Sequence, residues 1–329
     1  MFYSRQAPIA LRVILTFAVL LTNVPAQEPS FSAQSNVVIV PALVRDAKGG
    51  AVYGLQAKDF VVEDDGVEQV VQLDEAAESE PVSVVVAVQT GRRAEREFPR
   101  IRGLRAMLQP IFGQPDAMVS LIEFDSKVNF VQNFTHDEDS VEKKLQQLQP
   151  GDDGAGILDA VDESVKLLNT VPQGRQRVLL LISETRDYGS KAKVNDVVIG
   201  VGRSKTVVYA LPFSPALSQV LDTERGSNID EWRMMPDLMA LLNVTLAAMK
   251  KNVPRTIASM TGGEYELFSS HTSFETKMTS FSNHLHSRYV LSFAPKSPHS
   301  GLHEIHVRLR EPGKDTVLFR TNYWAQGSD

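Results

Sequence analysis

Cysteine is absent from all 329 residues. That excludes disulfide staples, thiolate metal sites and thiol nucleophiles, so packing and polar contacts alone must hold the fold. Long apolar runs are missing beyond residue 30, and no later window is apolar enough to cross a bilayer. Positive charge falls short of negative: 34 Lys and Arg face 40 Asp and Glu, a net charge of −6. This balance weighs against nucleic acid or an anionic lipid surface as partner. Familiar catalytic signatures are missing too: there is no Gly-x-Ser-x-Gly elbow, no phosphate-loop lysine motif and no His-Glu-x-x-His helix. His303-Glu304-Ile305-His306 has the wrong spacing for the last of these, and on a strand its two rings face opposite ways. Gly200-Val201-Gly202 closes a helical pattern instead of opening one, which predicts a helix C-cap and not a dinucleotide loop.

Apolar material is plentiful. Hydrophobic residues make up 43% of the chain, enough for one large core and a smaller second one. At the N-terminus Arg5 and Arg12 precede the run Val13 to Leu21, and Val24-Pro25-Ala26 ends in a small residue. This is the pattern of a secretory signal peptide over residues 1–26. An uncleaved anchor and a buried N-terminal helix are the competing readings. Cleavage takes away two arginines and no acid, moving the net charge from −6 to −8. The reading implies an exported protein of the periplasm, cell envelope or extracellular space, with no membrane span after cleavage.

Residues 31–76 and 288–325 read as β structure. Val37 to Val44 is β-branched and extended, and Asp59 to Val71 makes a hairpin around Asp65-Gly66, a dipeptide suited to positive φ. Strands are predicted again over 289–293, 303–310 and 316–323. Neither end has enough strands to bury a core alone, so the two are expected to combine into one small β-sandwich-like domain. Residues 80–287 alternate strands and helices instead. Val82 to Val88, Met118 to Phe124, Arg177 to Ser183 and Thr206 to Leu211 are the core strands, with Lys127 to Phe134 an antiparallel edge. Helices are predicted over 94–108, 139–148, 156–168, 191–201, 234–253 and 273–287, and Thr261-Gly262-Gly263 turns into a last strand. This order predicts an α/β domain with a doubly wound, Rossmann-like, mostly parallel sheet.

Four segments, in order, carry a family resemblance. They are Asp59-Phe60-Val61-Val62-Glu63-Asp64-Asp65-Gly66, the strand and loop Val84 to Arg93, the turn Thr261-Gly262-Gly263, and Arg288-Tyr289-Val290-Leu291-Ser292-Phe293-Ala294-Pro295. Together they resemble the von Willebrand factor type A (vWA) related proteins common in Acidobacteria, along nearly the whole mature chain. The resemblance implies a vWA-type α/β domain and a role in binding other proteins. In that family the loop after the first core strand reads Asp-x-Ser-x-Ser and helps hold Mg²⁺ or Mn²⁺ at the metal-ion-dependent adhesion site. Val88, Thr90 and Arg92 fall on its three ligand positions. Pro150 to Ala160 corresponds to a second ligand loop, whose threonine falls on Ala155, and Ile182 to Asp187 to a third, whose aspartate is replaced by Glu184. A hard cation needs near-octahedral oxygen ligands, and of these positions only Thr90 and Glu184 keep a usable oxygen. The resemblance therefore implies a degenerate site with no cofactor, neither Mg²⁺ nor Mn²⁺.

Readings of that site stay open. The Arg92 guanidinium could pair with Glu184 and stand where the relatives hold their cation, or Arg92 could point into water. Asp152 or Asp153 could instead rebuild a displaced metal site. Open α/β sheets bind ligands beyond the C-terminal ends of their strands. The expected binding surface is therefore Val88, Gln89, Thr90, Arg92, Asp152, Asp153, Ala155, Glu184 and Asp187. Arg225, Trp232, Arg233, Met234 and Met235 form a loop of interface-like composition, with internal packing as the alternative. Histidines at 284, 286, 299, 303 and 306 read as surface or strand-edge residues, and Asp64-Asp65 and Asp152-Asp153 as solvated turns. The function that follows is non-enzymatic recognition of a protein partner. The rivals are a divalent-cation-dependent adhesion or sensing module with a remodelled site, and a secreted hydrolase.

Overall fold

β-branched residues at the start of the described chain form β1 (Val38–Arg45), β2 (Phe60–Asp64), β3 (Val67–Glu68) and β4 (Gln72–Leu73). The structure is a computed structural model that describes residues 37–74, 80–92, 94–101, 103–213, 238–296, 299–311 and 313–326. The signal-peptide reading over 1–26 and the loop holding Arg225, Trp232, Arg233, Met234 and Met235 lie outside the described residues. From residue 82 the chain continues as β5 (Val82–Gln89), α1 (Phe98–Ile101), α2 (Leu104–Phe112), β6 (Met118–Phe124) and β7 (Val128–Thr135). Next come α3 (Glu138–Gln146), α4 (Ile157–Asn169), β8 (Gln176–Ser183), α5 (Val194–Arg203) and β9 (Thr206–Pro212). Three helices follow: α6 (Leu238–Lys251), α7 (Val253–Thr261) and α8 (His271–Leu285). The chain then runs into β10 (Tyr289–Phe293), β11 (Gly301–Leu309), β12 (Thr316–Phe319) and β13 (Asn322–Ala325).

A strand can be apolar at every position only if both its faces are covered. β5 meets that condition as the middle of a five-stranded sheet, ordered β7-β6-β5-β8-β9 and parallel except at the β7 edge. Val84, Val86 and Val88 pack with Leu104, Leu108, Phe274 and Phe281 from α2 and α8 on one face. Val85 and Ala87 pack with Val161, Val198 and Ile257 from α4, α5 and α7 on the other. Burying each such valine is worth about 1.5–3 kcal/mol. The chain leaves β5 for β6 on one side and later returns to β8 on the other, so the crest of β5 lies at a topological switch point.

The remaining strands form two four-stranded antiparallel sheets, β12-β1-β10-β4 and β13-β11-β2-β3, each mixing strands from both ends of the chain. One core joins them, including Val40, Ala42, Phe60, Val62, Leu291, Phe293 and Val307. No helix among the described residues is long and apolar enough to cross a membrane.

Several expected elements differ. The helix over 94–108 is a 3₁₀ turn at 94–97, a short α1, and α2 running on through Pro110. The helix expected over 234–253 ends at Lys251, because the Asn252 side chain accepts from Arg255 N and caps a separate α7 with proline in its first turn. Gly202 lies inside the last turn of α5 and not at its cap, which is Ser204; a Cβ at Gly202 would press on Trp324. The strand after Thr261 is reduced to two parallel bridges, Ala210 with Tyr265 and Phe213 with Phe268. Most consequential, the segment 316–323 is two strands in different sheets, broken at Arg320 and Thr321.

Candidate functional site

The crest is assembled from the loops that follow β5, α3 and β8, with the turn after β6 beneath them. Val88 is the last core residue of β5, and its isopropyl group belongs to the hydrophobic cluster. Gln89 is buried next to it; its Oε1 accepts from Glu184 N at 2.7 Å and its Nε2 donates to Gly91 O at 3.3 Å. This side chain ties the first loop to the third. Thr90 is buried, and its hydroxyl donates back to Phe124 O at 3.2 Å. Gly91 allows the first two loops to touch, since a Cβ there would overlap the Gly154 carbonyl.

Arg92 follows in the left-handed region, φ 56°. Its backbone N donates to Asp152 O at 2.7 Å, and this turn aims the side chain across the crest. Nε donates to Glu184 Oε2 at 3.0 Å, Nη1 reaches Asp153 O at 3.5 Å, and Cζ stands 3.9 Å from the centroid of the Tyr188 ring. The Arg92 side chain is 28% exposed and that of Glu184 10%, so the pair is largely shielded from water. Charge-assisted hydrogen bonds in such surroundings are stronger than those of exposed ion pairs.

The acids around this pair are already engaged. Asp152 accepts from the Ser126 hydroxyl, from Gly154 N at 2.8 Å and from Ser126 N at 3.0 Å; the Ser126 hydroxyl foremost, then Gly154 N, hold its carboxyl below the usual range. Asp125 Oδ2 accepts from Asp152 N and Asp125 Oδ1 from Lys127 N. Asp187 Oδ1 accepts from Leu158 N at 3.0 Å and from Ser190 Oγ at 2.5 Å, which satisfies the start of α4. Ala155 is buried and bridges to Tyr188.

Gln89, Thr90, Arg92, Asp152, Asp153, Ala155 and Glu184 are thus brought together, while Val88 belongs to the core and Asp187 to the base of α4. Three members of the crest escaped the sequence reading: Asp125, Ser126 and Tyr188. Asp125 and Ser126 directly follow a core strand, a position that could have marked them. Tyr188 gives no such sign, because its place depends on the bridge to Ala155. The histidines expected at the surface need correction in two cases. His284 is buried with its Nδ1 3.0 Å from Glu264, and His303 is fully buried against Asp64. Asp64, expected in a solvated turn, is buried too.

No protein-family model and no curated protein matches the sequence. Solved structures of vWA-type proteins are similar to it. The vWF domain of the type V pili tip protein Mfa5 from Porphyromonas gingivalis is 13% identical over 33% of this chain and 39% of that one, with a TM-score of 0.30. The conserved hypothetical protein BatB from Bacteroides thetaiotaomicron is 14% identical over 62% of this chain and 98% of that one, with a TM-score of 0.41. Proximal thread matrix protein 1 from the mussel byssus is 9% identical over 61% of this chain and 47% of that one, with a TM-score of 0.43. The chain spans well under two thirds of the Mfa5 domain, and none of these likenesses bears on activity.

Proposed function

We propose that this chain is an exported, non-enzymatic protein–protein recognition module of the vWA-related kind, with a degenerate metal-ion-dependent adhesion site. The observation that carries the reading is the Arg92–Glu184 pair: a cation of the protein's own chain stands among the positions that the resemblance assigns to metal ligands. A divalent ion there would lie against the guanidinium and be repelled. It would also need the Thr90 hydroxyl and the Asp152 carboxylate, which the backbone already engages. These competing contacts support a crest that works without Mg²⁺ or Mn²⁺.

What the crest offers a partner is Arg92 held against Tyr188, which is 41% exposed. Arginine and tyrosine are enriched in protein interfaces, and a preorganised pair loses little freedom on binding. In the same reading, residues 80–287 are an α/β domain inserted into a β-sandwich-like domain made of 31–76 and 288–325. Export rests on the signal-peptide pattern of residues 1–26.

Calorimetry with Mg²⁺, Mn²⁺ and Ca²⁺, together with capture of partners from the native envelope fraction by wild type and Tyr188→Ala, tests the proposal. The expected result is no saturable heat that depends on Glu184, and a captured band lost in a variant whose stability falls by no more than the ~1 kcal/mol of its cation–π contact. Saturable Mg²⁺ or Mn²⁺ binding that disappears in Glu184→Gln would restore the cation-dependent adhesion or sensing reading. A band captured equally by Tyr188→Ala would move the interface off the crest.

A further inference from the structure

Away from the crest, the turn between β2 and β3 and the approach to β11 bring together Asp65, His299 and His303. We propose that these three side chains form a binding site for a zinc-type transition-metal ion. Asp65 Oδ2 lies 2.8 Å from His303 Nδ1 and 3.0 Å from His299 Nε2, and the three ligand atoms all lie within 4.8 Å of one another. That spread suits donors sharing one ion at bond lengths of about 2.0–2.2 Å. Asp65 is held in place by the hairpin, where it and Gly66 take φ 48° and 78°.

His303 is prepared for ligation. It is fully buried, and its Nε2 lies 2.9 Å from the His299 carbonyl, so a proton there is donated to that oxygen and Nδ1 faces the carboxylates. A backbone acceptor on the far nitrogen is what fixes the tautomer and ring plane of a metal-bound histidine. Asp64 Oδ1 stands 3.1 Å from the same Nδ1, while Asp64 Oδ2 accepts from the Tyr323 hydroxyl at 3.1 Å. Two carboxylates therefore converge on one ring nitrogen. No Lys or Arg pairs with Asp64 or Asp65 among the described residues. The two carboxylates face only the imidazoles of His299 and His303, and a divalent ion that takes the place of the ring protons facing Asp65 would balance their charge.

Two imidazole nitrogens and a carboxylate oxygen suit Zn²⁺ and are a poor set for Mg²⁺ or Ca²⁺, which prefer oxygen throughout. A fourth position falls to water or to Asp64. The His299 and His303 rings are stacked at 3.8 Å and 14°. Binding turns the half-exposed His299 ring out of that stack, while His303 stays held by its carbonyl. The ion would tie residues 234 positions apart in the chain, a staple for a protein with no cysteine.

The test uses the full chain after chelator treatment. Zn²⁺ is titrated by calorimetry and Co²⁺ by its visible absorption, with Mg²⁺ and Ca²⁺ as controls. One equivalent of Zn²⁺ is expected to bind and raise Tm, Co²⁺ to give the spectrum of a tetrahedral site, and Mg²⁺ and Ca²⁺ to do neither. His299→Ala and Asp65→Asn, the second of which tolerates the left-handed turn, should lose at least the ~100-fold in affinity that even outer-shell changes can cost. Glu184→Gln at the crest should bind Zn²⁺ as wild type does. Absent Zn²⁺ binding, or equal affinity in wild type and both cluster variants, would overturn the proposal.

Discussion

Arg92 lies over Tyr188, its guanidinium carbon 3.9 Å from the ring centroid, while the same side chain donates to Glu184. One residue thereby links the loop after β5 to the loop after β8, and through the Asp153 carbonyl it also meets the loop after α3. The cation–π contact adds about 0.5–1 kcal/mol at a half-exposed site, and the charged hydrogen bond contributes more.

Replacing Arg92 by Ala should destabilise the protein by roughly 1–3 kcal/mol, because Glu184 is left shielded from water without its partner. Alanine also inherits the left-handed backbone at φ 56°. Arg92→Gly removes the same contacts but relaxes that strain, so its loss should be about 1 kcal/mol smaller. Urea unfolding of the two variants separates the contributions. Wild-type stability in both would mean that Arg92 points into water.

Arg320 is buried, and its guanidinium donates to Asn322 O at 2.7 Å, Ser204 O at 2.9 Å and Gly202 O. Burial pushes its pKa down to about 10. It satisfies carbonyls at the C-terminal end of α5 from the bend between β12 and β13, so it joins the terminal sheets to the α/β core. Arg320→Met leaves those carbonyls unpaired and should cost roughly 2–4 kcal/mol. Arg320→Lys should recover only part of this, since one ammonium cannot reproduce the planar fork. Thermal melts of both variants check the order.

Stability should fall on acidification partly through Glu264. Burial alone would raise its carboxyl, but the hydrogen bond with His284 and the charges of Arg288, His284 and Arg45 outweigh it and hold the group below its ordinary value of 4.5. A depressed folded pKa stabilises the native state fully above that ordinary value, and the contribution is lost as pH falls through the folded pKa. Glu264→Gln should be less stable at neutral pH by roughly 1–3 kcal/mol, with a flatter stability profile below pH 4.5. Denaturant midpoints measured across that window report the difference; an unchanged slope would deny Glu264 this role.

Gly263 meets the backbone of β9 directly, and a Cβ there would collide with the Val208 carbonyl. Gly263→Ala should therefore cost more than about 4 kcal/mol or prevent folding. Gly54 has positive φ, 81°, and nothing lies within 4 Å of its virtual Cβ. Gly54→Ala should cost only about 1–2 kcal/mol from the backbone. A loss at Gly263→Ala no larger than that at Gly54→Ala would show that the close approach to Val208 is not what requires glycine at 263.

Local patterns carried much of the architecture. The unbroken apolar run of β5 and the similar run of β8 require cover on both faces, which made the parallel sheet readable, and Asp65-Gly66 with its flanking strands marked the hairpin. Patterns failed where a distant partner overrides periodicity. Residues 316–323 look like one strand, yet Arg320 turns the chain from one sheet to the other because the carbonyls of α5 draw in its guanidinium. Asn252 interrupts an otherwise continuous helical stretch through a cap only three residues long in reach.

The sequence by itself determined that a mostly parallel α/β sheet would lie between two β-rich ends, and that Val88, Arg92 and Ala155 offer no side-chain oxygen to a cation. Burial periodicity and donor chemistry are properties of single segments and can be read from them. Only the tertiary structure decided that Arg92 meets Glu184 and Tyr188, and that Asp65 meets His299 and His303. Those meetings depend on which strands the sheets set side by side across long stretches of chain, and no local spacing encodes that pairing.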